Sequence, residues 1–518
     1  MYEIARIVLY CMLPLLASVY FYFRKPSKTY SNLPPMLEEH YSRWTGHVMP
    51  IISNPNSQPN PWIPNLLKLA RSSPTGVAAI YTFGPKWFAE PMYIVKDPVL
   101  CAEVLTNVHA RRFHRQVEVI SEVIGRRALA VIEDREYVRH RKLLTSSVMH
   151  KKAVRGFVEI VANTVADFLD QVAKPSDGRR YSNLTLDYAR TNNAGMLVVE
   201  SLAKFSFGMT ICGTSRDPEQ RKISERFGSY LRVLFGTVNT RVSVAGVAKH
   251  VAYLNIPETL RLRRAQQGLV SEFVGPAIRR RKQEMADGVE VPSDALTMML
   301  EGGVKDGEGF TDDEIRDNLI GIVAGSYELT AISLLWILYH LALNPDVQDR
   351  CYRDVAEAMA NEPEGSLPTL LQIESMTYLH CVVNESLRLH NPGAVARTLE
   401  EDVSVGSYTI PKNATILTVF DGLNEQSFDN FDQFRPERWE DDPVSGGAKR
   451  PGLTSAPFGF GQYKCFGYPI AMAALRTSAA MWLLRYKLEL ADENVETESQ
   501  MMMVPVELNF RLYPREQS

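Results

Sequence analysis

The residue with the most pointed chemistry is Cys465, near the end of the run FGFGQYKCFG that spans Phe458 to Gly467. Gly459 and Gly461 allow a tight turn and a close backbone approach to a flat ligand. Gly467 and Pro469 then open a helix with Ile470, Ala471, Ala474 and Leu475 on one face, and proline is tolerated in a first turn. A sulfur at a helix N-terminus meets unpaired N–H groups and the positive dipole end, both of which favour thiolate over thiol. A thiolate is an electron-rich metal ligand. An isolated cysteine is more often a small buried hydrophobe, but the flanking glycines and the following helix set this one apart. The remaining cysteines, Cys11, Cys101, Cys212, Cys351 and Cys381, are scattered and form no CxxC pair. That spacing argues against a zinc site or a disulfide framework and fits a reducing compartment.

A second group of residues places charge on apolar segments. Glu385 and Arg388 lie three apart in YLHCVVNESLRLHNP and share a helix face flanked by Val382, Val383, Leu387 and Leu389. An exposed ion pair would be worth little. A buried one that loses a partner costs about 3–5 kcal/mol. Arg438 in FRPERW, Arg141 with Tyr137 in EYVRHRKLL, and Arg397 in VARTLEED offer further guanidinium forks, a geometry suited to carboxylates. In VAGSYELTAISLLWILYHL, Leu329 falls on the face of Gly325, and Ser326 and Thr330 form the adjacent stripe, about 100° round the axis. Glu328 is the acid of that segment.

These segments, in this order, resemble the cytochrome P450 family over nearly the whole chain after residue 28. The loop matches F-x-x-G-x-x-x-C-x-G, and Glu385, Arg388 and Arg438 match the family's structural Glu–Arg–Arg triad. The resemblance implies a mainly α fold, a helical prism with a small β-rich region. It implies heme b, with Cys465 as axial sulfur ligand and heme contacts from Phe458, Gly459, Gly461, Tyr463, Gly467, Tyr137, Arg141 and Arg397. Glu328 and Thr330, with Ser326 and Leu329 beside them, fall in the oxygen-activation segment. The chain departs from the pattern in three places. Tyr137 stands for the usual Trp, Tyr463 for the usual Arg or His, and Leu329 for the usual Thr.

The implied activity is insertion of one oxygen atom from O2 into a hydrophobic small molecule. Electrons would come from NADPH through a separate flavoprotein reductase, docked on a basic face of Lys464, Arg139 and Lys142. The displaced alcohol keeps open a reductase-independent isomerase or dehydratase, and a non-catalytic heme-binding protein is a third reading. The PERW variant and the architecture resemble fungal microsomal members acting in natural-product biosynthesis.

The elements that must position these residues are mostly helical. Helices are predicted over 98–107, 134–149, 152–173, 185–207, 219–236, 258–286, 311–343, 373–390 and 467–485, with strand-like pieces at 77–83, 92–96, 403–419 and 504–513. The stretch at about 108–130 is expected to be a substrate-contacting loop. The helix from Thr311 opens on Thr-Asp-Asp-Glu, a capping box. It is apolar on most sides beyond Leu319, as a helix through the middle of a core must be.

Of the 518 residues, 45% are hydrophobic and the formal net charge is −3. The first figure supports a large core and the second argues against nucleic acid as partner. Residues 7–23, IVLYCMLPLLASVYFYF, carry no charge and are followed by Arg24, Lys25 and Lys28. At about 1.5 Å per residue this run just crosses a hydrocarbon core about 30 Å thick. The basic cluster would stay cytosolic. We therefore expect a single-pass anchor over 1–28, a Pro-rich connector over 29–61, and a catalytic domain over 62–518 facing the cytosol from the endoplasmic reticulum.

Overall fold

The computed structural model describes residues 33–37, 76–80, 91–172, 180–187, 193–211, 218–244, 256–302, 309–363, 365–391, 394–441, 455–499 and 503–515. The expected membrane anchor lies outside these residues, as does most of the expected connector. One piece of the connector is described, and it is more than a surface tether. Leu37 is buried, its N–H donates to the Ala79 carbonyl at 2.9 Å, and the Ala79 N–H donates to the Pro35 carbonyl at 2.8 Å.

The longest helix, Asp312–Leu343, begins as its sequence requires. The Thr311 hydroxyl accepts from the Glu314 N–H at 3.3 Å, and the Glu314 carboxylate accepts from the Thr311 N–H at 2.8 Å. Asp312, Asp313 and Glu314 place negative charge at the positive dipole end. Among the described residues this is the helix long and apolar enough to cross a membrane, yet 72% of that apolar window is buried within the protein. It is a core helix, and it forms the spine of the fold. Asn193–Phe207 packs along it, Tyr468–Arg485 packs on both it and Lys151–Val172, and Thr377–Leu389 closes another side.

Strands gather at the edges. The largest sheet holds β1 (Val77–Ile80), β2 (Met92–Val95), β3 (Ala110–Arg112), β5 (Ala394–Leu399) and β8 (Thr415–Val419), in the order β1-β2-β8-β5-β3. Only β2 and β8 run parallel; the other neighbours are antiparallel. A three-stranded sheet joins β4 (Ser182–Asp187), β12 (Glu507–Pro514) and β9 (Tyr486–Leu490). Two small hairpins complete the set, β6 (Val403–Val405) with β7 (Tyr408–Ile410), and β10 (Thr497–Ser499) with β11 (Met503–Pro505). The fold is mainly α with minor sheets.

Several segments differ from expectation, and helices Pro345–Met359 and Phe420–Ser427 were not foreseen. The predicted helix over 185–207 is strand β4 followed by helix Asn193–Phe207. SNLTLD alternates buried and exposed in strand fashion because it pairs with β12, whose distance along the chain hides the partner from local pattern. The predicted loop at 108–130 is mostly β3 and helix His114–Ile124. The helix expected over 258–286 widens into a π turn at Leu269–Val274. Pro276 cannot donate to the carbonyl one turn back, and the Gly275 N–H reaches Val270 instead.

Candidate active site

Cys465 is set by the loop expected from sequence. Gly459 and Gly461 have φ of +69° and +72°, a conformation that suits glycine. The loop closes when the Cys465 N–H donates to the Phe458 carbonyl at 2.7 Å. The two glycines do different work. A Cβ on Gly461 would lie 1.9 Å from the Leu105 carbonyl oxygen, so its close approach is to helix Pro98–Thr106 rather than to a ligand. Gly459, in contrast, lines the cavity that Cys465 faces. Helix Tyr468–Arg485 starts immediately after Gly467, with proline in its first turn.

The sulfur opens onto a cavity of about 340 Å³, within the size range of small-molecule sites. Burial pushes the Cys465 thiol above its usual range. The backbone N–H groups of Gly467 and Tyr468 and the charges of Arg141 and Lys464 pull it down, without overcoming burial. A metal ligand loses its proton to the metal.

Gly325, Ser326, Leu329, Thr330 and Ser333 of the central helix line the same cavity. A Cβ on Gly325 would meet nothing within 4 Å, so the helix is open there. One turn on, Leu329 presents an alkyl group, as the helical spacing implied. The Ser326 hydroxyl is turned back onto the Ile322 carbonyl at 2.7 Å. Glu328 is 1% exposed and does not line the cavity.

Positive charge in the cavity comes from Arg397, which the sequence offered, and from Arg112, which sequence reasoning missed. Arg112 on β3 and Arg397 on β5 both line the cavity, with no Asp or Glu among its described lining residues. Their guanidinium carbons lie 4.2 Å and 5.2 Å from the ring centroid of Tyr463. Burial, and next the Arg112 charge, lower Arg397 to about 10; burial lowers Arg112 as well. Arg397 Nε is buried with no hydrogen-bond partner among the described residues. Two desolvated cations with an orphaned donor call for an anionic ligand.

Arg141 and Tyr137 are placed otherwise. Arg141 Nη1 donates to the Lys464 carbonyl at 2.8 Å and to the Tyr137 hydroxyl at 3.1 Å, and that hydroxyl donates to the Gln462 carbonyl at 2.6 Å. Together they clamp the cysteine loop to helix Asp134–Ser147, and neither lines the cavity. Arg139 pairs with Glu314 at the start of the central helix, so it is not a free surface cation for a docking partner. Lys142 is exposed, and Lys464 Nζ lies 4.7 Å from the Tyr468 ring centroid.

Glu385, Arg388 and Arg438 meet out of solvent. The Glu385 carboxylate accepts from Arg388 Nε and Nη2 at 2.8 Å, and from Arg438 Nε, the Arg435 N–H and Trp439 Nε1 at 2.9 Å. Arg388 also donates to the Phe431 and Gln433 carbonyls, fixing the segment before FRPERW. Burial alone would push Glu385 up. The hydrogen bonds and charge of Arg388, helped by Arg435 and Arg438, outweigh it and hold the carboxyl below its usual range.

The cavity thus offers one sulfur, a glycine-opened wall, an apolar face with Leu329 and Ala471, and two cations for a ligand with carboxylates. These residues fit a heme, and the fold and site define a heme-thiolate oxidoreductase. The chain belongs to the cytochrome P450 family, whose sequence profile matches residues 55–511. It is 25% identical to β-amyrin 11-oxidase of Glycyrrhiza uralensis, over 84% of this chain and 81% of that protein. It is likewise 25% identical to ent-kaurenoic acid oxidase 1 of Arabidopsis thaliana, over 83% and 84% of the two chains. The cyclooctat-9-en-7-ol 5-monooxygenase of Streptomyces melanosporofaciens is 26% identical over 76% of this chain and 80% of its own. The protein is a heme-thiolate monooxygenase that oxidises small hydrophobic molecules.

Proposed function

We propose that Cys465 is the axial ligand of heme b and that Arg112 and Arg397 hold its carboxylates, with Tyr463 between the two cations and Phe458, Gly459 and Gly467 along the wall. The observation that carries this reading is that Cys465, Arg112 and Arg397 line one cavity together with Gly325 and Leu329. A bound heme supplies the redox iron at which dioxygen is activated, and a thiolate ligand pushes electron density toward it. The other residues act on position and protons. Tyr137 and Arg141 hold the loop, and Glu385, Arg388 and Arg438 hold the segment beneath it. Thr330, the residue after Leu329 on the central helix, lines the cavity and carries a hydroxyl, so it takes the proton-delivery role that Leu329 cannot. Glu328, on the same helix but away from the cavity, is an electrostatic neighbour rather than a direct donor.

The cavity wall is chiefly apolar and suits a largely hydrocarbon substrate, in keeping with relatives named for β-amyrin and cyclooctat-9-en-7-ol. Electrons come from NADPH through a separate flavoprotein reductase. The anchor over 1–28 and the connector over 29–61 tether the catalytic domain, 62–518, to the cytosolic face of the endoplasmic reticulum. The setting is fungal natural-product biosynthesis. Comparing metabolites in cells given this protein, a reductase, both or neither tests the reading. An oxygenated product that appears only with both components supports it, and a product formed without the reductase contradicts it.

A further inference from the structure

Ser326 and Thr330 line two cavities. One is the cavity of Cys465; the other is a pocket of about 20 Å³ behind the central helix, bounded also by helices Lys151–Val172, Asn193–Phe207 and Tyr468–Arg485. Its wall is largely apolar, yet four hydroxyl-bearing residues line it, Ser201, Ser326, Thr330 and Ser478. Ser201 and Ser478 are each 4% exposed and Thr330 is 8% exposed. The Ser201 and Ser326 hydroxyls donate within their own helices, to the Leu197 carbonyl at 3.3 Å and the Ile322 carbonyl at 2.7 Å, which leaves their lone pairs free to accept. Ser478 and Thr330 have no hydrogen-bond partner among the described residues. Buried hydroxyls in native proteins are paired, often with a water. A water needs at least about 10–15 Å³ and two to four polar partners, so this pocket has room and partners for one.

We propose that one ordered water occupies this pocket and sets the direction of the Thr330 hydroxyl. This rests on the monooxygenase reading above. Ser478 donates to the water, the water donates to Thr330 Oγ, and its second O–H goes to Ser201 or Ser326. With a hydrogen bond already received on its oxygen, Thr330 directs its own single O–H into the main cavity. The water and Thr330 thereby supply the alcohol function that the helix lacks at Leu329. Ser201 and Ser478 are positioning residues that act through Thr330.

The test is a high-resolution X-ray structure of the holoenzyme, with a second crystal under xenon, followed by neutron diffraction from deuterated protein. The expected result is one water within hydrogen-bond distance of Ser478 Oγ and Thr330 Oγ, no xenon in the pocket, and the Thr330 deuteron directed toward the main cavity. In Ser478→Ala the water is expected to be lost and the Thr330 deuteron to leave that direction, while Thr330→Ser retains both. A dry pocket that admits xenon overturns the proposal, and so does a Thr330 deuteron unaffected by Ser478→Ala. Should Ser478→Ala not fold, the wild-type crystals decide by the water, the xenon and the Thr330 deuteron. Heme bound through a residue other than Cys465 in these crystals would instead bring down the underlying site reading.

Discussion

Arg112 and Arg397 are cross-strand partners in the antiparallel register of β3 and β5, so two like charges stand directly opposite each other beside the Tyr463 ring. Such pairs destabilise a sheet unless something between them carries negative charge. Tyr463 stands where the family usually has a cation. A third positive charge there would add to the repulsion, whereas a phenol ring attracts both guanidiniums through its face.

The consequence is opposite signs in the two forms of the protein. Arg397→Gln should raise the stability of the heme-free protein by about 0.2–1 kcal/mol by removing the like-charge pair. The same change should lower heme retention, measured as heme per protein after purification. Arg112→Gln should behave alike. Arg141→Gln should loosen the cysteine loop without stabilising the heme-free form, since its Nη1 bonds the Lys464 carbonyl and the Tyr137 hydroxyl.

Glu385→Gln should be severely destabilising, by about 3–5 kcal/mol, because Arg388 and Arg438 would be left buried without their counter-charge. The effect should depend on pH. Glu385 is held below its usual range in the fold, so its contribution is fully present above the unfolded value of about 4.3 and lost as pH falls through the folded value. Denaturant midpoints of wild type and variant should therefore differ most at neutral pH and converge in acid.

His340 should produce a separate loss at milder acidity. Its ring stacks on Phe434 at 4.2 Å, and its Nε2 lies 3.0 Å from Nε2 of His390, which in turn stacks on Trp336 at 3.6 Å. Burial lowers His340 to about 4, with the charges of Glu385 and Arg388 opposing each other as lesser influences. A group depressed in the fold gives stability that is full above its unfolded value, about 6.5, and falls away between there and about pH 4. The amount is on the order of 3 kcal/mol. His340→Phe, measured by urea unfolding across that window, should flatten the slope. An unchanged slope would assign it instead to His390 beside it or to His380, both lowered by burial.

What was legible in the chain was what it writes locally. Cys465 and its glycines sit within one short run, and Glu385 with Arg388 declares itself by three-residue spacing on an apolar helix. The central helix announces its own start at Thr311. Arg112 was not legible, because its meaning comes from a register with Arg397, far along the chain. Strand β4 was hidden for the same reason. Spacing found Arg141 but not the direction of its fork, which is set by the Lys464 carbonyl. Ser201 and Ser478 belong to different helices and meet only where those helices pack against Thr330.

On the central helix, Leu329→Thr should place a hydroxyl one turn beyond Gly325 and raise product formed per NADPH oxidised. Thr330→Val should lower it and raise peroxide release, toward the roughly 10²–10⁴-fold effect of a lost proton donor. Both ratios are read with the reductase and the substrate found by metabolite comparison. Equal coupling in wild type and Thr330→Val would remove Thr330 from proton delivery.

The central claim is a sulfur–iron bond at Cys465, and the carbon monoxide difference spectrum of the dithionite-reduced protein tests it most directly. The strongly red-displaced Soret band of a thiolate-ligated heme is expected in the wild type and should be absent in Cys465→Ser. A wild-type protein that binds heme without that band, or a Cys465→Ser variant that keeps it, would contradict the assignment.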